Sequence, residues 1–439
     1  MRSEIRKKVI TFLRRQCSDI REGGLSVLLR KVAMTVEAIL AVPLVLFVRL
    51  IRPLVLVRFG GLPTDTFGPL AGTVEAYLCE CELGLHGRRV INIFCVSLPV
   101  CNAQLTKMWK RALHVTRFAR SLERVNRWLP GGQRHRFPWG PLAARDIHGT
   151  LAQTKPHLSF TKEEERRGYA AMRQLGIPEG VPFVCFQARD QAYMGQRFPH
   201  YPSQVFTYRN SALLTFLPAA DELTRRGYLA VRVGAVVETA LNATNPRVID
   251  YAVRNRTDFL DIFLEAHCRF YLGDTSGIAF LPMIFRRPIA LVNFIPLEYV
   301  TSWGPQDLFI PKRLWLKAER RFLTFPEILE SGVGRLMRSE LYERAGLEIV
   351  DNTPEEIVAL VVEMDERLKG TWQTTEEDEQ LQCRFWALFQ HSPHHKVIRA
   401  HIGAAFLRAH CELLGEEGPV YSQERMREIA EPTLLGRGR

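Results

Sequence analysis

The sequence predicts an α/β protein built on parallel sheet, with helical segments at both ends of the chain. Three observations carry this. Between residues 181 and 293, apolar runs of strand length alternate with helical patterns, the rhythm of βαβ units. Residues 53–97 run strand, glycine-rich turn, helix, strand, as at the start of a Rossmann-type domain. The first sixty residues and those from about Pro354 to Leu414 read as helical.

The chain has 439 residues, 46% apolar and 24% charged, enough for two ordinary domains plus appendages. Its nine cysteines are an odd number. Cys79 and Cys81 stand two apart with no second pair, so no zinc spacing is visible, and free thiols in a reducing compartment are expected. Charges follow Met1 directly, unlike a secretory signal. The net charge of +12 is uneven. Residues 1–60 hold 12 Lys/Arg against 4 Asp/Glu, and residues 107–136 hold nine against one, Glu123. Two basic patches near the start favour an anionic surface as partner.

Residues 1–53 are read as a basic amphipathic and apolar segment. Ile5, Val9, Leu13 and Ile20 share one helical face, with arginines and lysines largely elsewhere. The uncharged run 38–48 is only 11 residues long and contains Pro43, so an interfacial anchor is expected rather than a span. The alternative is a helical hairpin packed on the protein's own core. Residues 54–165 follow as a first Rossmann-type domain, with strands near 54–59 and 89–97 and helices near 73–84 and 103–115. Residues 166–180 are expected to be a linker, because Pro, Gly and polar residues dominate around one helix. Residues 181–350 form the second Rossmann-type domain, and 351–439 are C-terminal helices and tail.

In the second domain the stretch "CRFYLGDTSGIAFLPMIF" (268–285) reads as strand, small-residue turn, then helix over 276–286. Gly273, Asp274, Thr275, Ser276 and Gly277 leave bare N–H groups at a helix start, where a diphosphate binds well. Parallel sheets bind ligands at their strand C-termini. The strand "VPFVCFQ" ends there in Arg189 and Asp190, and "VRVG" ends in Arg232 and Gly234. A connection of about twenty residues, long for its kind, carries Tyr208, Arg209 and Asn210. Three guanidiniums, Arg189, Arg209 and Arg232, beside such a turn make a site for a nucleotide diphosphate. Taken one at a time, each arginine is equally a surface salt bridge, with Asp190, Asp258 and Asp261 available.

The blocks "FQARD", "TYRNS", "VRVG", "DYA", "TDFLDIFLEAHCRFYLGDTSG", "RRPIALVN" and "DLFIPKRLW" resemble those of a family of bacterial glycosyltransferases. "VEAYLCE", "CNAQLTKMWKR" and "AFLRAHCELL" extend the resemblance over nearly the whole chain from about Leu54. It implies a GT-B-like architecture, two Rossmann-type domains facing a cleft, with a nucleotide-sugar donor held mainly by the second. It also implies no essential metal and no cofactor beyond the nucleoside-diphosphate sugar as substrate. Where the family has Gly-His after the first strand, this chain has Gly68-Pro69. Asp65, in the same turn, is then the candidate catalytic base; as a bare turn residue it is equally a cap.

The expected partners are a sugar-nucleotide donor, a glycan or lipid-linked acceptor and an anionic membrane surface. The expected location is the cytoplasm, peripherally bound to the inner membrane. Another glycan-modifying transfer, such as of a pyruvyl group, and a catalytically weak nucleotide-binding scaffold are the alternatives. Nucleic acid is not expected, since the basic segments lack a recognised motif and the aromatics form no stacking series.

Overall fold

A computed structural model describes residues 2–415 except 88, 141, 142, 201, 302, 391, 393, 394, 396 and 398, with side chains from Arg21 onward. The amphipathic face expected over residues 5–20 and the tail after 415 therefore lie outside the described residues. In chain order the first part runs α1 (Arg2–Leu50), β1 (Leu56–Leu62), α2 (Val74–Glu82), β2 (Val90–Val96), α3 (Ala103–Ala112), α4 (Ala119–Trp128) and α5 (Lys162–Gln174). Then come β3 (Phe183–Gln187), α6 (Ala192–Arg197), α7 (Leu217–Arg225), β4 (Leu229–Arg232), β5 (Val248–Asp250), α8 (Asp258–His267), β6 (Tyr271–Gly273), α9 (Phe280–Ile284) and β7 (Ile289–Phe294).

The chain packs into two compact units that differ from the domains expected. The first comprises residues 1–63, 86–98 and 113–138. Its sheet is a single parallel pair, β1 on β2, with Leu56 opposite Val90 and Leu62 opposite Val96. Its core joins Ala38, Ala41 and Val45 of α1 to Val57 and Phe59 of β1, Cys95 of β2, and Ala119, Leu122 and Val125 of α4. Ala38, Ala41 and Val45 recur at helical spacing, so one stripe of α1 is core. Arg49 fastens the end of that helix: its Nη2 donates to Asn126 Oδ1 at 2.8 Å and its Nη1 to the Pro130 carbonyl at 2.6 Å.

The apolar helix is longer than its uncharged run of 38–48 indicated. The chain breaks helical geometry at Gly24 (φ 63°) and is then one 27-residue helix to Leu50, long and apolar enough by length and composition to cross a membrane. Pro43 lies inside it. The helix continues through Pro43: the missing N–H removes one hydrogen bond among many, and Ala41 and Val45 on either side of it are packed in the core with residues of α4 and β1.

The second unit comprises residues 64–85, 99–112 and 139–439. Segments 64–85 and 99–112, placed by the sequence in a first Rossmann-type domain, thus pack with the C-terminal half. The residues expected as a linker, 166–180, are largely α5, which starts with a capping box between Thr161 and Glu164. Gly168 lets this helix lie on α8, since a Cβ there would sit 2.3 Å from the Phe263 ring. Pro218 starts α7 rather than interrupting it, as its fixed φ and absent N–H favour the first helical turn.

The main sheet of this unit has seven strands, all parallel, in the order β12-β8-β7-β6-β3-β4-β5, where β8 is Leu308–Pro311 and β12 is His401–Ile402. From β3 the chain winds outward through β4 and β5, then returns to β6 on the other flank and winds outward through β7 and β8. The β3/β6 boundary is therefore the topological switch point, where the connections leave a crevice at the strand C-termini. After β7, β8 and then β12 extend one flank of this sheet, with β12 at its edge, and β9 (Arg313–Leu316), β10 (Arg321–Phe322) and β11 (Leu347–Val350) form a small antiparallel sheet.

A buried ion cluster ties α2 to later segments. Glu75 Oε1 accepts from Arg286 Nη2 at 2.8 Å and lies 3.2 Å from His157 Nδ1, while His157 Nε2 lies 3.3 Å from Glu82. Burial opposes the charge on His157, but hydrogen bonds with Cys79 and Glu75 and the charge of Glu75 outweigh it, raising the pKa from 6.5 to about 10. A raised imidazole pKa contributes stability that is complete below 6.5 and is lost as pH rises towards 10. The thermal midpoint should therefore fall between those pH values. His157→Gln should flatten that part of the profile, and an equal slope in the variant would place the effect elsewhere.

Candidate functional site

At the β3/β6 switch point lies a cavity of about 400 Å³. Its floor comes from the ends of three strands and the segments after them: Gln187 and Arg189 after β3, Gly234 after β4, and Thr275, Ser276 and Gly277 after β6. The 64–69 turn closes one side with Thr66 to Pro69, and Tyr193, Met194 and Phe206 of the long connection form another. Every lining residue belongs to the second unit.

Arg189 is buried, and its position is fixed twice. Its backbone N–H donates to Asp274 Oδ2 at 2.6 Å. Its Nη1 donates to the Phe206 carbonyl at 3.1 Å and to Asn210 Oδ1. Burial, and next the charge of Arg209, bring its pKa down to about 10, which leaves it cationic at neutral pH. Arg209 lines the same cavity with its guanidinium 5.3 Å from the Phe206 ring centre, and its Nε has no hydrogen-bond partner among the described residues. A weakly engaged, half-buried guanidinium beside a cationic neighbour suits a doubly charged anion. Asp190 turns away from this role: it accepts from the N–H groups of Ala192 at 3.0 Å and Glu238 at 2.9 Å, joining the segments after β3 and β4.

Five residues expected at the anion do not line the cavity: Gly273 and Asp274 of the turn, and Arg232, Tyr208 and Asn210. Arg232 is fully buried, donating to the Thr239 carbonyl at 2.8 Å and to Asp250 Oδ2 at 3.2 Å. The salt-bridge reading describes it, with Asp250 as a partner the sequence had not singled out. Tyr208 packs on Tyr342 at 5.6 Å, and its N–H donates to Ser339 Oγ. Asn210 braces Arg189 and offers its carbonyl to Lys312 Nζ at 2.6 Å.

The 273–277 turn is placed at the cavity, but its internal logic differs from the expectation. The helix read over 276–286 shortens to the five residues of α9, so it presents no long dipole. The Ser276 N–H is engaged by the Asp274 carbonyl at 2.8 Å, and Ser276 Oγ donates to Gln187 Oε1 at 2.8 Å. Thr275 Oγ1 accepts from the Ile295 N–H. Asp274 is wholly buried, and burial pushes its carboxyl up to about 6. Gly273 is required because the Tyr271 hydroxyl would lie 2.3 Å from a Cβ there. A Cβ on Gly277 would meet the Gly68 nitrogen at 3.1 Å, so its smallness serves the approach of the 64–69 turn.

That approach explains Gly68-Pro69 in physical terms. Both residues line the cavity, and Gly68 stands against Phe280. Asp65 is exposed in the same turn, with its charge felt by Tyr193, whose hydroxyl has no hydrogen-bond partner among the described residues. Sequence reasoning missed Gln187 and Phe280. The signal for Gln187 was its place at the last position of a buried strand, two residues before Arg189.

No protein-family model matches the chain, and no curated protein matches it. Among solved structures it is similar to a glycosyl transferase family 9 protein from Veillonella parvula DSM 2008, at 10% identity over 72% of this chain and 97% of that one, with a TM-score of 0.39. It is also similar to the dodecameric iron-containing heptosyltransferase TibC in complex with ADP-D-beta-D-heptose, at 13% identity over 57% of this chain, with a TM-score of 0.32. TibC from enterotoxigenic E. coli H10407 gives 13% and 0.31. The chain spans 63% of the length of TibC. Likenesses of this degree do not define a family or an activity for this chain.

Proposed function

We propose that this protein is a glycosyltransferase that moves a sugar from a nucleoside-diphosphate donor to a glycan or lipid-linked acceptor at the cytoplasmic face of a membrane. The observation that carries the reading is the pair Arg189 and Arg209 at the switch-point cavity, beside the 275–277 turn. Two guanidiniums at that edge suit a diphosphate, and the apolar walls at Phe206, Met194 and Val236 suit a base or sugar face. The family resemblance of the sequence blocks supports the same donor class and the GT-B-like, two-domain layout.

In this reading Arg189 is the fixed cation and Arg209 the adaptable one, balancing charge on the leaving diphosphate. Asp65 takes the acceptor proton. The donor itself supplies the leaving group, so the transfer calls for no further cofactor. Asp190 and Asp274 act by holding the strand ends, and Arg232, Tyr208 and Asn210 by bracing the segments that carry the cavity.

Calorimetry against a panel of sugar nucleotides tests the donor, and hydrolysis of the tightest binder tests turnover. Arg209→Ala should weaken nucleoside-diphosphate binding by about 1.5–3 kcal/mol, as for a charged hydrogen bond, with an unchanged melting temperature. Equal affinity in wild type and variant would remove Arg209 from the site. Binding without any turnover across a full panel of acceptors would favour the scaffold alternative.

A further inference from the structure

The core of the second unit holds a group of side chains that the cavity does not use. Cys185 of β3, Glu265 of α8 and Cys268, just past the end of α8, are each 0% exposed. One ligand atom from each lies within 4.8 Å of the other two. Glu265 and Cys268 are three apart, so the end of α8 presents both on the side that meets β3. Among the described residues, neither carboxylate oxygen of Glu265 has a hydrogen-bond partner.

That carboxyl is anomalous within its own fold. Glu75, equally buried, is met by Arg286 at 2.8 Å and by His157. Asp274, equally buried, accepts the Arg189 N–H and feels Lys312. Among the described residues, the ionisable groups that bear on Glu265 are Cys268 and Asp261, and neither is a cation. Leaving a buried carboxyl unpartnered is unfavourable. A neutral acid reduces the charge term but leaves its oxygens without partners.

We propose that Cys185, Glu265 and Cys268 form a binding site for a thiophilic divalent cation of the zinc class. Two sulfurs and a carboxylate oxygen supply three protein donors, and the second carboxylate oxygen or a water completes the four that a zinc ion takes. Entry of the ion releases the two thiol protons and the carboxyl proton to solvent, so the ligands bind as thiolates and carboxylate. Burial raises the pKa of the Glu265 carboxyl and of the Cys185 thiol, which opposes their charged forms when no ion is present. None of the three lines the cavity, so the ion is structural. It fastens α8 to β3, the strand that delivers Gln187 and Arg189. The sequence concealed the site because its two cysteines lie on separate βα units and neither has a CxxC partner. The proposal is independent of the donor reading.

The test uses the full chain, expressed with zinc in the medium and purified with reductant. Elemental mass spectrometry should find one zinc per chain. Expression with Cd²⁺ should give a thiolate-to-metal charge-transfer band in the ultraviolet. The double variant Cys185→Ser/Cys268→Ser should lose both signals, and Cys383→Ser/Cys411→Ser, which removes two exposed thiols, should keep them. Glu265→Gln should bind the ion more weakly while remaining folded. Metal-free wild type, or a double variant that retains ion and band, would overturn the site. If the double variant does not fold, chelation of the wild type decides. Stripping the ion must lower the thermal midpoint and open two further thiols to a colorimetric thiol reagent; an unchanged midpoint and thiol count on complete removal would overturn the proposal.

Discussion

Asp274→Ala is expected to abolish measurable nucleoside-diphosphate binding and to destabilise the second unit by about 2–4 kcal/mol, the range for breaking a buried network and leaving a small void. Asp274 does not itself line the cavity, yet two cavity elements hang on it. Its Oδ2 accepts the Arg189 N–H at 2.6 Å, which fixes where β3 ends. Its own carbonyl holds the Ser276 N–H at 2.8 Å, which shapes the turn beside the cavity. Removing the carboxylate leaves a buried N–H unpaired and frees the end of β3 from β6. Asp274→Asn keeps one acceptor oxygen and should fall between wild type and alanine in both readouts. Thermal denaturation and calorimetry with a nucleoside diphosphate, run on the same samples, check this. Alanine and wild type binding equally would show that Arg189 is placed without the β6 end.

The same residue illustrates what the sequence could and could not tell. "GDTSG" announced a small-residue turn after a strand, and the turn is there, at the switch point. The residue types did not say which way each side chain points. Asp274 looked like a ligand-facing polar residue and is an internal brace; Arg232 looked like a cavity cation and is neutralised by Asp250 across the adjacent strand. Periodicity reports which strand an arginine ends, while the pleat and the neighbour's charge decide whether it faces ligand or core. Arg189 and Arg209 came together because one follows β3 directly and the other sits on the connection that returns over it. The unit boundaries were less legible. Segments 64–85 and 99–112 leave the β1–β2 pair and pack with the C-terminal half, and no change in composition marks their departure.

Three substitutions on α1, Val36→Gln, Leu40→Gln and Phe47→Gln, are expected to move the protein from the membrane pellet to the soluble fraction without unfolding it. The helix has two faces with different duties. Ala38, Ala41 and Val45 are buried in the first unit's core. Opposite them Leu25, Leu29, Val32, Val36, Leu40, Phe47 and Leu50 are each at least 50% exposed, an apolar stripe along the helix. The 27-residue helix is about 40 Å long at 1.5 Å per residue, and the hydrocarbon core of a bilayer is about 30 Å. Length alone would permit a span. Core contacts along the C-terminal half argue instead for a helix lying in the interface with its outer stripe in the acyl region. Deleting residues 1–50, the obvious test of an anchor, would strip Ala38, Ala41 and Val45 from their partners and expose Phe59, so surface substitution is the cleaner experiment. Fully burying three such side chains is worth roughly 5–9 kcal/mol, several orders of magnitude in partitioning. The basic residues of 107–136 add attraction to anionic lipid, so high salt should release part of the wild type. Flotation with vesicles containing phosphatidylserine measures both effects. A triple variant that still floats would show that the stripe is not the anchor, and a wild type that stays soluble but dimerises through the stripe would assign that face to a second copy of the chain.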